Sequence, residues 1–159
     1  MIKKRLPSRQ KAKKTMVKKD PKLESQRQWH IMSAKGQVLG RLSTHVAHLL
    51  IGKHKRDYMP NIDGGDFVIV TDAKEIEVTG NKETDKLYNR YSGYPGGRKV
   101  TPLSVMRQKH PERIIELAVK GMLPDNKLKR FRMNRLKVFA GPEHTYEGKL
   151  KTQNSNVKS

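Results

Sequence analysis

The sequence predicts an α/β domain in which a mainly parallel sheet is packed against helices. Three observations carry that expectation. Short extended segments alternate with segments of helical periodicity through the middle of the 159-residue chain. One extended segment, Phe67-Val68-Ile69-Val70, is continuously apolar, as a strand covered on both faces must be. The basic surplus collects at the two ends, which leaves a middle of ordinary domain composition.

In chain order, Trp29-His30-Ile31-Met32 is a short strand that ends at the turn signal Lys35-Gly36. From Leu39 onward, Leu39, Leu42, Val46, Leu49 and Leu50 recur at helical spacing, with Arg41, His45 and His48 on the other side; Gly52 stops this helix. Asp63-Gly64-Gly65-Asp66 is a turn cluster leading into the apolar strand. Ala73–Gly80 alternates, Ile76 and Val78 against Glu75 and Glu77, and reads as extended; so does Leu87–Tyr91. Pro102–Lys109 and Glu112–Gly121 read as helices, the second with Ile114, Leu117, Ala118 and Met122 on one face. Leu136–Phe139 is the last short strand.

The chain carries 35 Lys and Arg against 15 Asp and Glu, a net charge of +20. Eleven basic and two acidic residues lie in residues 1–28, fifteen and ten in 29–121, nine and three in 122–159. The division implies a basic arm at 1–28, a folded domain over 29–144 and a polar tail at 145–159. The arm has no sustained apolar period and is expected to be disordered when free. Its wealth of Lys over Arg and Ser favours polyanion binding over an organelle transit peptide. A surplus of this size on a small chain calls for a polyanionic partner.

Several functions are excluded or disfavoured. The longest apolar run is four residues, where a membrane span needs about twenty, so no membrane partner is expected. No apolar segment of secretory type follows the N-terminus. The absence of Cys removes disulfides and thiolate metal sites. Gly36-Gln-Val-Leu-Gly40-Arg41-Leu42-Ser43 resembles a P-loop only loosely, because its glycines are four apart and Arg41 stands where Lys belongs. Asp63, Asp66 and Asp72 admit a rival reading as a Mg²⁺-dependent nuclease, although Asp beside a glycine turn has backbone reasons to be there. The six histidines form no metal-protease pattern.

Three basic clusters are more telling. Gly52-Lys53-His54-Lys55-Arg56 follows a helix stop. Tyr91-Ser92-Gly93-Tyr94-Pro95-Gly96-Gly97-Arg98-Lys99 combines close-approach glycines with stacking tyrosines and cations. Lys127-Leu128-Lys129-Arg130-Phe131-Arg132-Met133-Asn134-Arg135 sets five cations around one aromatic ring. Such groups suit a phosphate backbone and unpaired bases, which makes Arg56, Gly93, Arg98, Lys127, Lys129, Arg130, Arg132 and Arg135 candidate RNA contacts. A nonspecific nucleic-acid compactor is the other binding reading.

The segments Val119-Lys120-Gly121-Met122-Leu123-Pro124 and Leu136-Lys137-Val138-Phe139-Ala140-Gly141-Pro142-Glu143-His144 resemble the L-thirteen family of large-subunit ribosomal proteins in its bacterial or organellar form. Leu39-Gly40-Arg41-Leu42-Ser43, Gly52-Lys53-His54-Lys55, Asp57-Tyr58-Met59-Pro60, Thr79-Gly80-Asn81-Lys82 and Pro111-Glu112-Arg113-Ile114-Ile115-Glu116 match in the same order, so the resemblance runs from about Trp29 to His144. It implies a three-layer α/β/α fold around a four-stranded, mostly parallel sheet. It also implies a non-catalytic structural role, binding 23S-type rRNA and supporting assembly beside neighbouring large-subunit proteins. No cofactor, metal or small-molecule substrate goes with that role. The implied location is the cytoplasmic ribosome, with an organellar ribosome as the alternative. Carried over by motif, the RNA contacts are Arg41, Lys53, His54, Lys55, Lys82, Gly96, Gly97 and Lys120. The sequence departs from the family in a glycine-free Asp125–Arg130, in Phe139 where Tyr is usual, and in a longer, more basic arm.

Overall fold

The computed structural model describes residues 27–148 and 150. The expected basic arm, apart from its last two residues, lies outside the described residues, as does most of the expected polar tail. Strands β1 (Trp29–Ser33) and β2 (Phe67–Thr71) pair in parallel along their whole length, from Trp29 opposite Phe67 to Ser33 opposite Thr71. The final strand, β5 (Leu136–Val138), pairs in parallel with the other edge of β2. The order β1-β2-β5 makes β2 central, and Val68, Ile69 and Val70 are wholly buried. Their branched side chains suit a pleated surface covered on both sides.

Helix α1 (Leu39–Ile51) buries Leu39, Leu42, Val46, Leu49 and Leu50, the stripe its spacing predicts. Gly52 closes it in the left-handed conformation, φ 84°, donating its N–H to the carbonyls of His48 and Leu49. Leu42, Val46 and Leu50 share one core with Val68, Val70, Ile114, Ile115 and Val119.

The molecule is a mixed α/β fold with a parallel main sheet, and that sheet has three strands rather than four among the described residues. No strand forms over Ala73–Gly80. Asp72 takes a left-handed conformation (φ 56°) and Ala73–Glu75 is a 3-10 turn. The N–H groups of Asp72, Ala73 and Lys74 bond to the carbonyls of Gly141, Phe139 and Ala140 instead of a ladder, and Glu77 makes one isolated bridge to Val38. The alternation that suggested a strand reflects the burial of Ile76 beside exposed acids.

Between β2 and β5 the chain forms α2 (Lys82–Asp85), β3 (Leu87–Tyr91), β4 (Arg98–Pro102), α3 (Leu103–Lys109), α4 (Pro111–Met122) and α5 (Lys129–Asn134). Strands β3 and β4 form a separate antiparallel ribbon, Leu87 opposite Pro102 and Tyr91 opposite Arg98. Helix α4 starts with Pro111 in its first turn, where no N–H partner is needed. Its buried face is Pro111, Ile114, Ile115 and Val119; Leu117 and Met122, expected inside, are exposed. Arg107 ties the base of the ribbon down, binding Glu83 through two 3.0 Å hydrogen bonds and the Ile76 carbonyl at 2.7 Å.

Candidate nucleic-acid interface

A closely packed seam forms where the turn before β2 meets the C-terminal end of α1. A Cβ on Gly65 would lie 1.9 Å from the Leu50 carbonyl oxygen, so only glycine allows this approach. Asp66 follows at once and donates its N–H to the Leu49 carbonyl at 3.2 Å. Arg135 reaches the Leu50 carbonyl with Nη2 at 3.1 Å, a cation placed at the negative end of α1.

Two acids organise the seam. The buried Asp66 carboxylate accepts the Gln28 N–H at 3.1 Å, His30 Nε2 at 3.1 Å, His54 Nε2 at 2.9 Å and the Lys55 ammonium. Burial by itself raises its pKa, but hydrogen bonds from His30, Lys55 and the Gln28 N–H outweigh it and lower the value to about 2. Asp63 receives Arg135 bidentately, at 2.5 and 2.6 Å, with the Arg132 Nε 3.8 Å away. Arg27 adds a 2.9 Å hydrogen bond to the Asp63 carbonyl.

His30, His54 and Asp66 bring donor atoms within 4.8 Å of one another, close enough for a metal's donor set. The Lys55 ammonium on the same carboxylate supplies the positive charge that an ion would bring, so the group is satisfied as a hydrogen-bonded ion cluster. The nuclease reading fails on geometry. Asp66 precedes β2 and Asp72 follows it, a separation of about 20 Å along an extended strand. Asp72 is engaged at its own end by the hydroxyls of Ser33 at 2.8 Å and Thr71 at 3.1 Å.

The candidate RNA contacts divide into two groups. Arg132 is 1% exposed and Arg135 is 4% exposed; both point inward at Asp63, which corrects their assignment to an RNA-facing cluster. The correction has a helical cause, because α5 and the residue after it turn two of the five cations toward the body while Lys127 and Arg130 stay outside. His54 and Lys55 are held by Asp66, and Lys129 by Asp125 at 2.7 Å. Arg41, Lys53, Arg56, Lys82, Arg98, Lys120, Lys127 and Arg130 are exposed and have no ion-pair partner among the described residues.

These outward groups do not form one spot. Lys53 and Arg56 sit at the seam end of α1, whereas Arg41 occupies its first turn, about 20 Å away. The Arg41 end lies beside the end of α4, where Thr44 Oγ1 approaches Met122 Sδ at 3.5 Å. Lys82 begins α2, near the base of the ribbon. At the ribbon's tip Gly93 and Gly96 take positive φ, 87° and 71°, and Gly97 donates its N–H to the Tyr94 carbonyl at 2.9 Å. Tyr91 and Tyr94 are 66% and 76% exposed, and Arg98 bonds to Asn89 Oδ1 at 3.2 Å.

Sequence reasoning missed the role of Asp66 and the ribbon cation Arg90, and it placed Lys99 in the glycine-tyrosine cluster without its cross-strand neighbour. The available signal for Asp66 was an acid next to a Gly-Gly pair, with His and Lys twelve and eleven positions before it. Its meaning depends on which backbone passes close by, and local pattern does not encode that.

A family model described as Ribosomal protein L13 matches residues 27–145. Similar curated proteins include "Large ribosomal subunit protein uL13" of Symbiobacterium thermophilum, 53% identical over 121 residues, covering 76% of this chain and 85% of the relative. The protein of that name from Dictyoglomus thermophilum is 51% identical over 132 residues, covering 83% and 91%. That from Methylococcus capsulatus is 49% identical over 124 residues, covering 78% and 87%.

Proposed function

Because the chain belongs to the ribosomal protein L13 family, we propose that it is a non-catalytic structural constituent of the cytoplasmic ribosome's large subunit. In this reading it binds large-subunit, 23S-type rRNA, supports assembly of that subunit and lies beside other large-subunit proteins. One observation carries it: the division of charge. Asp63 and Asp66 consume cations inside the seam, while Arg41, Lys53, Arg56, Lys82, Arg98, Lys120, Lys127 and Arg130 face solvent unpaired by any acid among the described residues. With a net charge of +20, those groups suit a phosphate backbone.

The chemistry follows in two parts. Each outward cation that neutralises a phosphate releases condensed counterions, which drives binding without reading sequence. The ribbon tip adds shape. Gly93, Gly96 and Gly97 lack side chains that would hold a backbone away, and Tyr91 and Tyr94 present free ring faces for unpaired bases. His54 and Lys55 join this surface from the rim of the Asp66 cluster, and Lys129 from beside Asp125. The basic arm at 1–28 extends the same electrostatics.

Filter binding to an in-vitro transcribed large-subunit rRNA fragment tests the reading. Six to ten phosphate contacts correspond to a loss of roughly 10³–10⁵ in affinity between 50 and 200 mM salt. An affinity that barely changes over that range would sink the electrostatic account.

A further inference from the structure

The ribbon holds a feature that the charge clusters of the sequence do not show. Its register places Arg90 directly opposite Lys99. Side chains alternate along a strand, so Tyr88, Arg90, Lys99 and Thr101 share one face, and Leu87, Asn89, Tyr91, Arg98 and Val100 share the other. Directly opposed residues of an antiparallel pair have Cβ atoms about 4.5–5.5 Å apart, and like charges at that distance destabilise the pairing. Both side chains are exposed, and neither has an ion-pair or hydrogen-bond partner among the described residues. On the opposite face Arg98 does have a local acceptor in Asn89. Two-stranded ribbons are marginal on their own, so an unrelieved cationic pair one step from the last pair of this one works against the free fold.

We propose that Arg90 and Lys99 form a cross-strand phosphate clamp, a binding site for the backbone of the RNA; it rests on the rRNA-binding reading above and makes it specific. A guanidinium fork and an ammonium set side by side can bracket the oxygens of one phosphate group, and an anion between them turns the repulsion into two attractions. The clamp's neighbours fit the same ligand. The glycine turn that carries Tyr94 begins one pair beyond the clamp, after Tyr91 opposite Arg98. Tyr88, below the clamp on the same face, is half-buried and packs against the core. The clamp therefore lies between an anchored base and a stacking tip.

The test uses Lys99→Glu in the full chain, because this substitution places a carboxylate opposite Arg90. It removes the repulsion and the clamp together. The expected result is a thermal midpoint equal to or above that of the unaltered protein. Affinity for the in-vitro transcribed rRNA fragment at 100 mM salt should fall about tenfold or more. The slope of log K against log salt should become shallower by about 1–2. A second variant, Arg90→Gln with Lys99→Gln, removes both charges without reversing one and should show the same change in slope. If both variants bind with unchanged affinity and slope while the unaltered protein shows its own salt dependence, the clamp is only a solvated face. A lowered midpoint for Lys99→Glu would overturn the premise of cross-strand repulsion. Failure of the unaltered protein to bind the fragment would instead remove the rRNA reading itself.

Discussion

The seam at the end of α1 and the β3–β4 ribbon are both rich in cations, and they use them in opposite ways. In the seam, Arg135 meets Asp63, Lys55 meets Asp66, and the geometry depends on a glycine packed against a carbonyl. On the ribbon, Arg90 faces Lys99, with Tyr91 and Tyr94 open to solvent. The seam's two acids are met by cations of the same chain, whereas Arg90 and Lys99 meet no acid among the described residues. Net charge alone therefore does not locate a binding surface in a basic protein; the pairing state of each cation does.

The largest expected effect that would sharpen this contrast comes from the seam. Asp63→Ala leaves Arg135 and the buried Arg132 without their acid, and the cost should be about 3–5 kcal/mol of stability by urea denaturation. A loss below about 1 kcal/mol would show that the seam is not held by its charges. Acid titration gives the next largest. The folded Asp66 carboxyl sits near 2 against an ordinary 3.8, so the unfolded chain takes up the proton first. Its contribution, about 2 kcal/mol, is full above roughly pH 4 and fades as the pH falls toward 2. Urea midpoints measured across that window should decline for the unaltered protein, and the decline should be shallower for Asp66→Asn. The smallest effect on stability belongs to the ribbon. Tyr94→Ala should leave the thermal midpoint nearly unchanged, within about 0.5 kcal/mol, yet weaken binding to the rRNA fragment by about 1–3 kcal/mol. If stability and binding fell together, the ribbon would be part of the body rather than a separate surface.

Much of the fold can be read from the amino-acid order, because local periodicity reports burial wherever an element faces one core. The stripe of Leu39, Leu42, Val46, Leu49 and Leu50 defines α1, and the run Phe67–Val70 defines the central strand. Reading fails where a third element decides. Ile76 is buried without a ladder, so its alternation with acids imitates a strand that does not form. In α4 the order of apolar residues allows two neighbouring faces, and burial in the common core selects Ile115 and Val119 over Leu117 and Met122. The outward cations Lys53, Arg56 and Arg98 were recognisable as clusters. The inward turn of Arg132 and Arg135 was not, since Asp63 lies 72 residues before Arg135. Arg90 and Lys99 become a pair only once strand register is fixed.

The sheet order β1-β2-β5 also sets a timetable for the chain as it is made. The central strand has one neighbour available early, since β1 precedes it, but its other edge waits for Leu136–Val138. Arg135, the partner of Asp63 and of the Leu50 carbonyl, arrives at the same moment. A chain made only as far as α4 therefore has an open edge on β2, and Asp63 there has Arg27 nearby but not its bidentate partner Arg135. One short stretch, from Arg135 to Val138, closes both at once. Cooperative completion of the body is deferred to nearly the last structured residues, whereas the ribbon, whose strands are six residues apart in the chain, can form long before.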